Sequence, residues 1–367
     1  MPQTSKNLII GSLDSYSGKS TAVLGLAHCL QQRRVDIAYG KPLGTVPEDG
    51  VALSEGTVSL DPDVEFLVTT LNLGRDRVYA PLLTLSDETI EQSLVEETPP
   101  SYTAQLQETL AQSTVPLVLL EGPGTLDEGH LYGLSLEQVA EATDAVVVLV
   151  IRFHSLKSVE RLVAAKQRLG DRLIGVILND VPSLHLPKVE ARIKPFLQRH
   201  GVPVVGVIPH NEVLKSVSVG ELVKRLDAEI LCSKDRMDLM VETLYIGAMN
   251  VNSALEYFRQ GHNMAIVTGG DRTDLQLAAL ETSTQCLVLT GHIAPTPQIL
   301  ARAEEMEIPI LTVDLDTLST VEIIEHAFGE VRLHDGIKRE YVFQLSHDSF
   351  DLDLLLSLLD IPQPSLV

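Results

Sequence analysis

Leu8-Ile9-Ile10-Gly11-Ser12-Leu13-Asp14-Ser15-Tyr16-Ser17-Gly18-Lys19-Ser20-Thr21 runs from an apolar strand through a turn of small residues into a helix-patterned stretch. In the helical part, Thr21 to Arg33, the residues Leu24, Ala27, Cys29 and Leu30 recur near the helical spacing. Strand, loop and helix in this order suit a phosphate. Gly18 lets the backbone come close to the anion, and the helix start points its free N–H groups at it. Lys19 would reach the β- and γ-phosphates, and the Ser20 hydroxyl would ligate Mg2+. Ser15, Ser17, Gly18, Lys19, Ser20 and Thr21 are therefore the candidate phosphate-binding residues. The strict pattern G-x-x-x-x-G-K-[ST] is not met, because Leu13 stands at its first glycine and the upstream glycine is Gly11. A serine-rich turn is the rival reading.

Outward from this run, short apolar segments alternate with helical ones, the pattern of βαβ units and a mostly parallel sheet. Strands are expected at Leu8 to Gly11, Ile37 to Tyr39, Pro116 to Leu120, Ala145 to Ile151, Leu173 to Leu178 and Val204 to Ile208. Ligands of such sheets bind at strand ends beside a switch point. Glu121, followed at once by Gly-Pro-Gly, can hold Mg2+ opposite Ser20, although Gly-Pro-Gly also reads as a plain turn. Lys41 closes the second strand and could neutralise a phosphate or a carboxylate substrate; with Lys19 it is the candidate catalytic residue, and a surface lysine is the alternative. At Asp61 and Asp63, metal ligation competes with helix capping. Asn179 and Asp180 carry groups able to read a purine edge, or form a turn.

After Pro209 the pattern weakens through Val213 to Gly220, which marks a boundary. A second α/β unit follows, with strands at Met264 to Val267, Cys286 to Leu289 and Pro309 to Val313 and helices at Leu275 to Thr282 and Pro297 to Met306. The expected domains are 1–212, 213–330 and a tail, 331–367. From Phe328 the tail reads as a short polar strand-like piece and then Leu352 to Leu359. Gly269, Gly270, Asp271, Arg272 and Thr273 sit between a strand and a helix. Arg272 offers a cationic fork for phosphates, while Thr273 and Asp271 could cap the helix.

Composition narrows the classes. Lys plus Arg number 28 and Asp plus Glu 50, a net charge of 28 − 50 = −22, which repels nucleic acid and anionic membranes. Three scattered cysteines and the short apolar run at the N-terminus fit a reducing, cytoplasmic setting without a membrane span.

At these residues the chain resembles the N-terminal half of long-form phosphate acetyltransferases, which joins a dethiobiotin-synthetase-like P-loop domain to a DRTGG domain. The likeness rests on Ser12 to Thr21, Tyr39 to Pro42, Asp61 to Phe66, Glu121 to Gly124, Asn179 with Asp180, and Thr268 to Asp274. It implies an α/β fold, a P-loop NTPase-like mostly parallel sheet followed by a smaller α/β DRTGG-like domain. It also implies ATP phosphates on Gly18, Lys19, Ser20 and Thr21, Mg2+ on Glu121 with Ser20 and Asp63, and the base near Asn179. Ser12 stands where the synthetases have their first loop glycine, Tyr16 replaces an acidic residue, and Leu-Gly-Thr follows Lys41-Pro42. With no acetyltransferase domain following, acetyl transfer is not expected of this chain.

The resulting expectation is an ATP- and Mg2+-binding regulatory or sensor protein, homodimeric, with a protein partner in central carbon metabolism. An ATP-dependent ligase or carboxylase of the dethiobiotin synthetase type is the alternative. A scaffold that has lost nucleotide binding is the third.

Overall fold

The computed structural model describes residues 5–45, 61–95, 99–329 and 336–362. They fall into two units, one running to His210 and resuming at Gly336, the other from Asn211 to Gly329.

The first unit runs β1 (Lys6–Ser12), α1 (Lys19–Gln32), β2 (Ile37–Gly40), β3 (Leu43–Thr45), α2 (Pro62–Leu71), β4 (Val78–Tyr79), β5 (Leu83–Leu85), α3 (Asp87–Val95) and α4 (Thr103–Ala111). It continues through β6 (Leu117–Glu121), α5 (Leu136–Ala142), β7 (Val146–Arg152), α6 (Lys157–Leu169), β8 (Leu173–Val181), α7 (Leu186–Lys188), α8 (Lys194–Arg199) and β9 (Val204–Pro209). Seven strands form one sheet in the order β4-β2-β6-β1-β7-β8-β9, every pair parallel. All six expected strands are in it. The chain leaves β1 toward β2 on one side and later crosses to β7 on the other, so the switch point lies at the C-terminal end of β1.

Burial on both faces accounts for the continuous apolar runs, since Leu8, Ile9 and Ile10 are all 0% exposed. One face packs Ile9, Val118, Leu149 and Ile151 against Leu106, Leu136, Val139 and Leu162 of the helices. On the other, α1 lies against β1 and β6. α1 starts at Lys19, two residues before the apolar periodicity begins.

The second unit runs α9 (Glu212–Lys215), β10 (Val217–Ser218), α10 (Val219–Leu226), β11 (Glu229–Ile230), β12 (Met240–Val241), β13 (Thr243–Gly247), α11 (Val251–Phe258) and β14 (Met264–Gly269). Then come α12 (Thr273–Leu280), β15 (Thr284–Thr290), α13 (Pro297–Glu305), β16 (Ile310–Thr312) and α14 (Thr317–Gly329). Its main sheet has the order β11-β16-β15-β14-β13, with β11 antiparallel and the rest parallel. Alternation along β14 divides two cores: Met264 and Ile266 face α11, α12 and α13, while Ala265 and Val267 face α10 and α14.

The C-terminal residues then return to the first unit as α15 (Gly336–Ser349) and α16 (Leu352–Leu358). This corrects the strand-like reading after Phe328, of which residues 330–335 lie outside the described residues. The helix was hidden because its buried face, Lys338, Val342, Ser346 and Ser349, has helical spacing but mostly polar side chains. α15 packs along α1: Phe343 stacks on His28 at 3.8 Å, and a Cβ on Gly25 would lie 2.2 Å from Ser346 Oγ. At the sheet edge, Asp351 N donates to Val205 O at 2.9 Å.

Candidate functional site

The loop between β1 and α1 turns on two left-handed residues, Tyr16 (φ 54°) and Gly18 (φ 86°). Among the described residues no side chain caps α1, and its first turn carries no acid, so its leading amides lack both an intrahelical acceptor and a resident carboxylate. Ser17 is 2% exposed, and among the described residues its Oγ has no hydrogen-bond partner. That orphaned hydroxyl lies in the turn expected to meet a phosphate.

Asn179, at the end of β8, pins the same turn: its Nδ2 donates to Ser17 O at 2.8 Å. A Cβ on Gly18 would lie 2.0 Å from that nitrogen. Gly18→Ala should therefore cost about 1–2 kcal/mol for the left-handed backbone, with loss of the Asn179 contact in addition. Urea denaturation checks this; a midpoint equal to wild type contradicts it.

A second loop closes over the first. Ser12 Oγ donates to Gly124 O at 2.8 Å, and Lys19 Nζ donates to Ser12 Oγ at 3.3 Å. Burial lowers the Lys19 pKa, opposed by the carboxylates of Glu121 and Glu128. Beneath it, Ser20 Oγ donates to Glu121 Oε1 at 2.8 Å and Tyr39 OH to Glu121 Oε2 at 2.9 Å. Burial and the adjacent Glu121 push the Tyr39 phenol well above its ordinary range, so it remains a donor.

Lys41 is not a surface lysine. It is 4% exposed, and its Nζ lies 3.0 Å from Asp61 Oδ2 and 2.7 Å from Asp63 Oδ2. Asp61 also caps α2 by accepting from Asp63 N and Val64 N. Both carboxylates thus engage a lysine. Among the described residues no group of three or more His, Cys, Asp and Glu side chains forms a metal cage. Asp180 is left-handed (φ 60°), 2.6 Å from His210 Nδ1 and 3.7 Å from Arg152 Nε.

In the second unit, Gly269 to Thr273 join β14 to α12. Among the described residues no side chain caps α12, which corrects the capping expected of Thr273 and Asp271. Instead the buried Gln276 reaches back from within the helix, its Nε2 donating to Gly269 O at 3.1 Å and Gly270 O at 3.0 Å. Arg272 is engaged by its own neighbours: Nε lies 3.1 Å from Asp274 Oδ1, and Nη2 donates to Met249 O at 2.9 Å. A Cβ on Gly270 would lie 2.0 Å from Ile293 O, so close backbone packing accounts for this glycine.

Sequence reasoning gave no role to Tyr39, which it named only within the Tyr39 to Pro42 likeness, and none to Glu128. Tyr39 had a usable signal, an aromatic hydroxyl at the end of a buried strand, where its oxygen needs a partner. Glu128 had none, since its approach to Gly124 depends on the path of residues 122–128.

A family model for an AAA domain matches residues 6–218, and one for a DRTGG domain matches residues 221–327. The phosphate acetyltransferase of Synechocystis sp. is 24% identical over 380 residues, covering 96% of this chain and 52% of that protein. That of Nitratidesulfovibrio vulgaris is 23% identical, covering 89% and 48%. The chain thus spans about half the length of these relatives. The nucleotide-binding protein of Archaeoglobus fulgidus, solved with ADP, is 12% identical with a TM-score of 0.34, covering 56% of this chain and 82% of that one. With more than half its length in the first match, the chain belongs to the AAA-domain family of dethiobiotin-synthetase-like P-loop proteins, and joins that domain to a DRTGG domain.

Proposed function

We propose that the first unit binds ATP with Mg2+ on the loop from Ser12 to Thr21, and that the chain is a cytoplasmic, homodimeric nucleotide-responsive regulator. The observation that carries this reading is the loop itself: left-handed Gly18, the uncapped start of α1 and the orphaned Ser17 hydroxyl, gathered beside Lys19. Those groups form an anion cradle. Ser20 and Glu121, 2.8 Å apart, would hold Mg2+, which typically takes one or two protein oxygens and completes its shell from phosphates and water. The cation would neutralise phosphate charge beside Glu121.

The ligase reading would seat an acceptor against Lys41. Its ammonium already answers Asp61 and Asp63, which favours the regulatory reading. Regulation requires that the nucleotide bind two conformations unequally, with coupling of about 1–3 kcal/mol typical. The second unit, with its Gly269 to Thr273 turn, is the proposed recipient.

The chain contains no Trp, so thermal melting is a better first measurement than indole fluorescence. ATP with Mg2+ at about 100 times its dissociation constant should stabilise the first unit by about 2.7 kcal/mol. No rise with ATP, ADP or GTP, with or without Mg2+, contradicts the proposal.

A further inference from the structure

The loop after β6 brings a carboxylate back onto the phosphate cradle. Gly124 N donates to Glu128 Oε2, and the half-buried Glu128 also acts on the Lys19 ammonium. Ser12 ties the two loops together, accepting from Lys19 Nζ at 3.3 Å and donating to Gly124 O at 2.8 Å. A Cβ on Gly124 would lie 3.0 Å from Ser15 Oγ, so Ser15 crowds the same point from the other loop. An amide N–H and an ammonium that both suit an anion are therefore served by one of the chain's own carboxylates.

We propose that Glu128 occupies the place of a nucleotide's terminal phosphate and makes the first unit prefer a diphosphate to a triphosphate. This rests on the reading of the loop as a nucleotide site. Lys19 is the residue that reaches the β- and γ-phosphates, so an anion held by Gly124 N, whose carbonyl is tied through Ser12 to the Lys19 ammonium, stands where the outermost phosphate would arrive. A diphosphate, lacking that outermost group, would leave the carboxylate in place. A triphosphate must displace the carboxylate or lie against it, two like charges in a partly buried site. Glu128 thereby sets the ratio of the two affinities, which decides whether the protein responds to triphosphate level or to the balance between triphosphate and diphosphate.

Glu128 could instead merely tie down the 124–128 turn, whose other bond runs from Glu128 N to Thr125 Oγ1 at 3.2 Å. Charge separates the two roles. Glu128→Gln keeps an acceptor for Gly124 N without the charge, and Glu128→Ala removes both. Dissociation constants for ADP and ATP, each with Mg2+, are measured by calorimetry on wild type and both variants, with melting of each unliganded protein as a folding check. Wild type should bind ADP more tightly, and Glu128→Gln should tighten ATP by about tenfold or more while ADP stays within about twofold. Equal gains for both nucleotides, no gain, or weaker ATP binding in Glu128→Gln overturn the inference while the nucleotide site stands. Absence of binding of either nucleotide to all three proteins overturns the site and the inference together. If Glu128→Ala does not fold, Glu128→Gln decides.

Discussion

Lys41→Met should cost the first unit about 3–5 kcal/mol, the usual consequence of removing one partner from a buried ionic cluster. The Lys41 side chain is 5% exposed, those of Asp61 and Asp63 are 3% and 20%, and Glu121 lies close enough to add to the field. Burial works against the ammonium, but Glu121, Asp63 and Asp61 outweigh it and hold its pKa above the ordinary value. A base with a raised folded pKa contributes stability that is complete below its unfolded value, about 10.4, and is lost only above it. The contribution is therefore flat across neutral pH. Without Lys41, the buried carboxylate of Asp61 loses the cation that faces it. Urea denaturation at pH 7 measures the loss. Neutralising the carboxylates as well, in Lys41→Met with Asp61→Asn and Asp63→Asn, should recover most of the loss, because apolar or neutral replacement of a whole buried cluster is often tolerated. A Lys41→Met protein as stable as wild type at pH 7 would refute the clamp.

Lys19→Ala should weaken binding of ATP with Mg2+ by about 30-fold or more, the 2–5 kcal/mol typical when one partner of a buried charge pair is truncated. The ammonium is already partly desolvated, since burial lowers its pKa, so it gives up little further hydration on meeting a phosphate. Glu121 and Glu128 stand near it, and in its absence they would face the incoming anion uncompensated. Calorimetry with ATP and ADP reads the loss directly. Binding unchanged within about twofold would remove Lys19 from the site, and with it the phosphate-cradle reading. Lys19→Arg should not restore full affinity: an ammonium at the end of a narrow turn is a point charge, whereas a guanidinium is a wide planar fork.

Six strands of the first unit's sheet, and β14, β15 and β16 of the second unit, were legible because they are largely buried on both faces, which forces local apolar runs such as Leu8 to Ile10 and Val147 to Ile151; the short or half-exposed β4, β11 and β13 carry no such run. The phosphate loop was legible because a left-handed residue opening a helix calls for glycine, and Gly18 with Lys19 and Ser20 stands where β1 ends. α15 escaped because helical periodicity is sought in apolar residues, and Lys338, Ser346 and Ser349 on its buried face are polar. Residues open to several roles by type acquire particular partners by placement: the cap of α2 brings Asp61 and Asp63 to Lys41, and Asn179 donates its amide to Ser17 O.

Local order along the chain, strand then glycine turn then helix, determined the uncapped helix start behind left-handed Gly18, because backbone conformation and hydrogen-bond supply depend on near neighbours. The partners of the charged side chains around the sheet's end, Glu121 with Tyr39 and Ser20, Glu128 with Gly124, and Asp61 and Asp63 with Lys41, were decided only in three dimensions. Ser20 and Glu121 are 101 residues apart in the chain, and no local preference specifies such a pair. It follows from the register of β1 against β6, which sets Ile10 beside Glu121, and from the packing of α1 on those same strands.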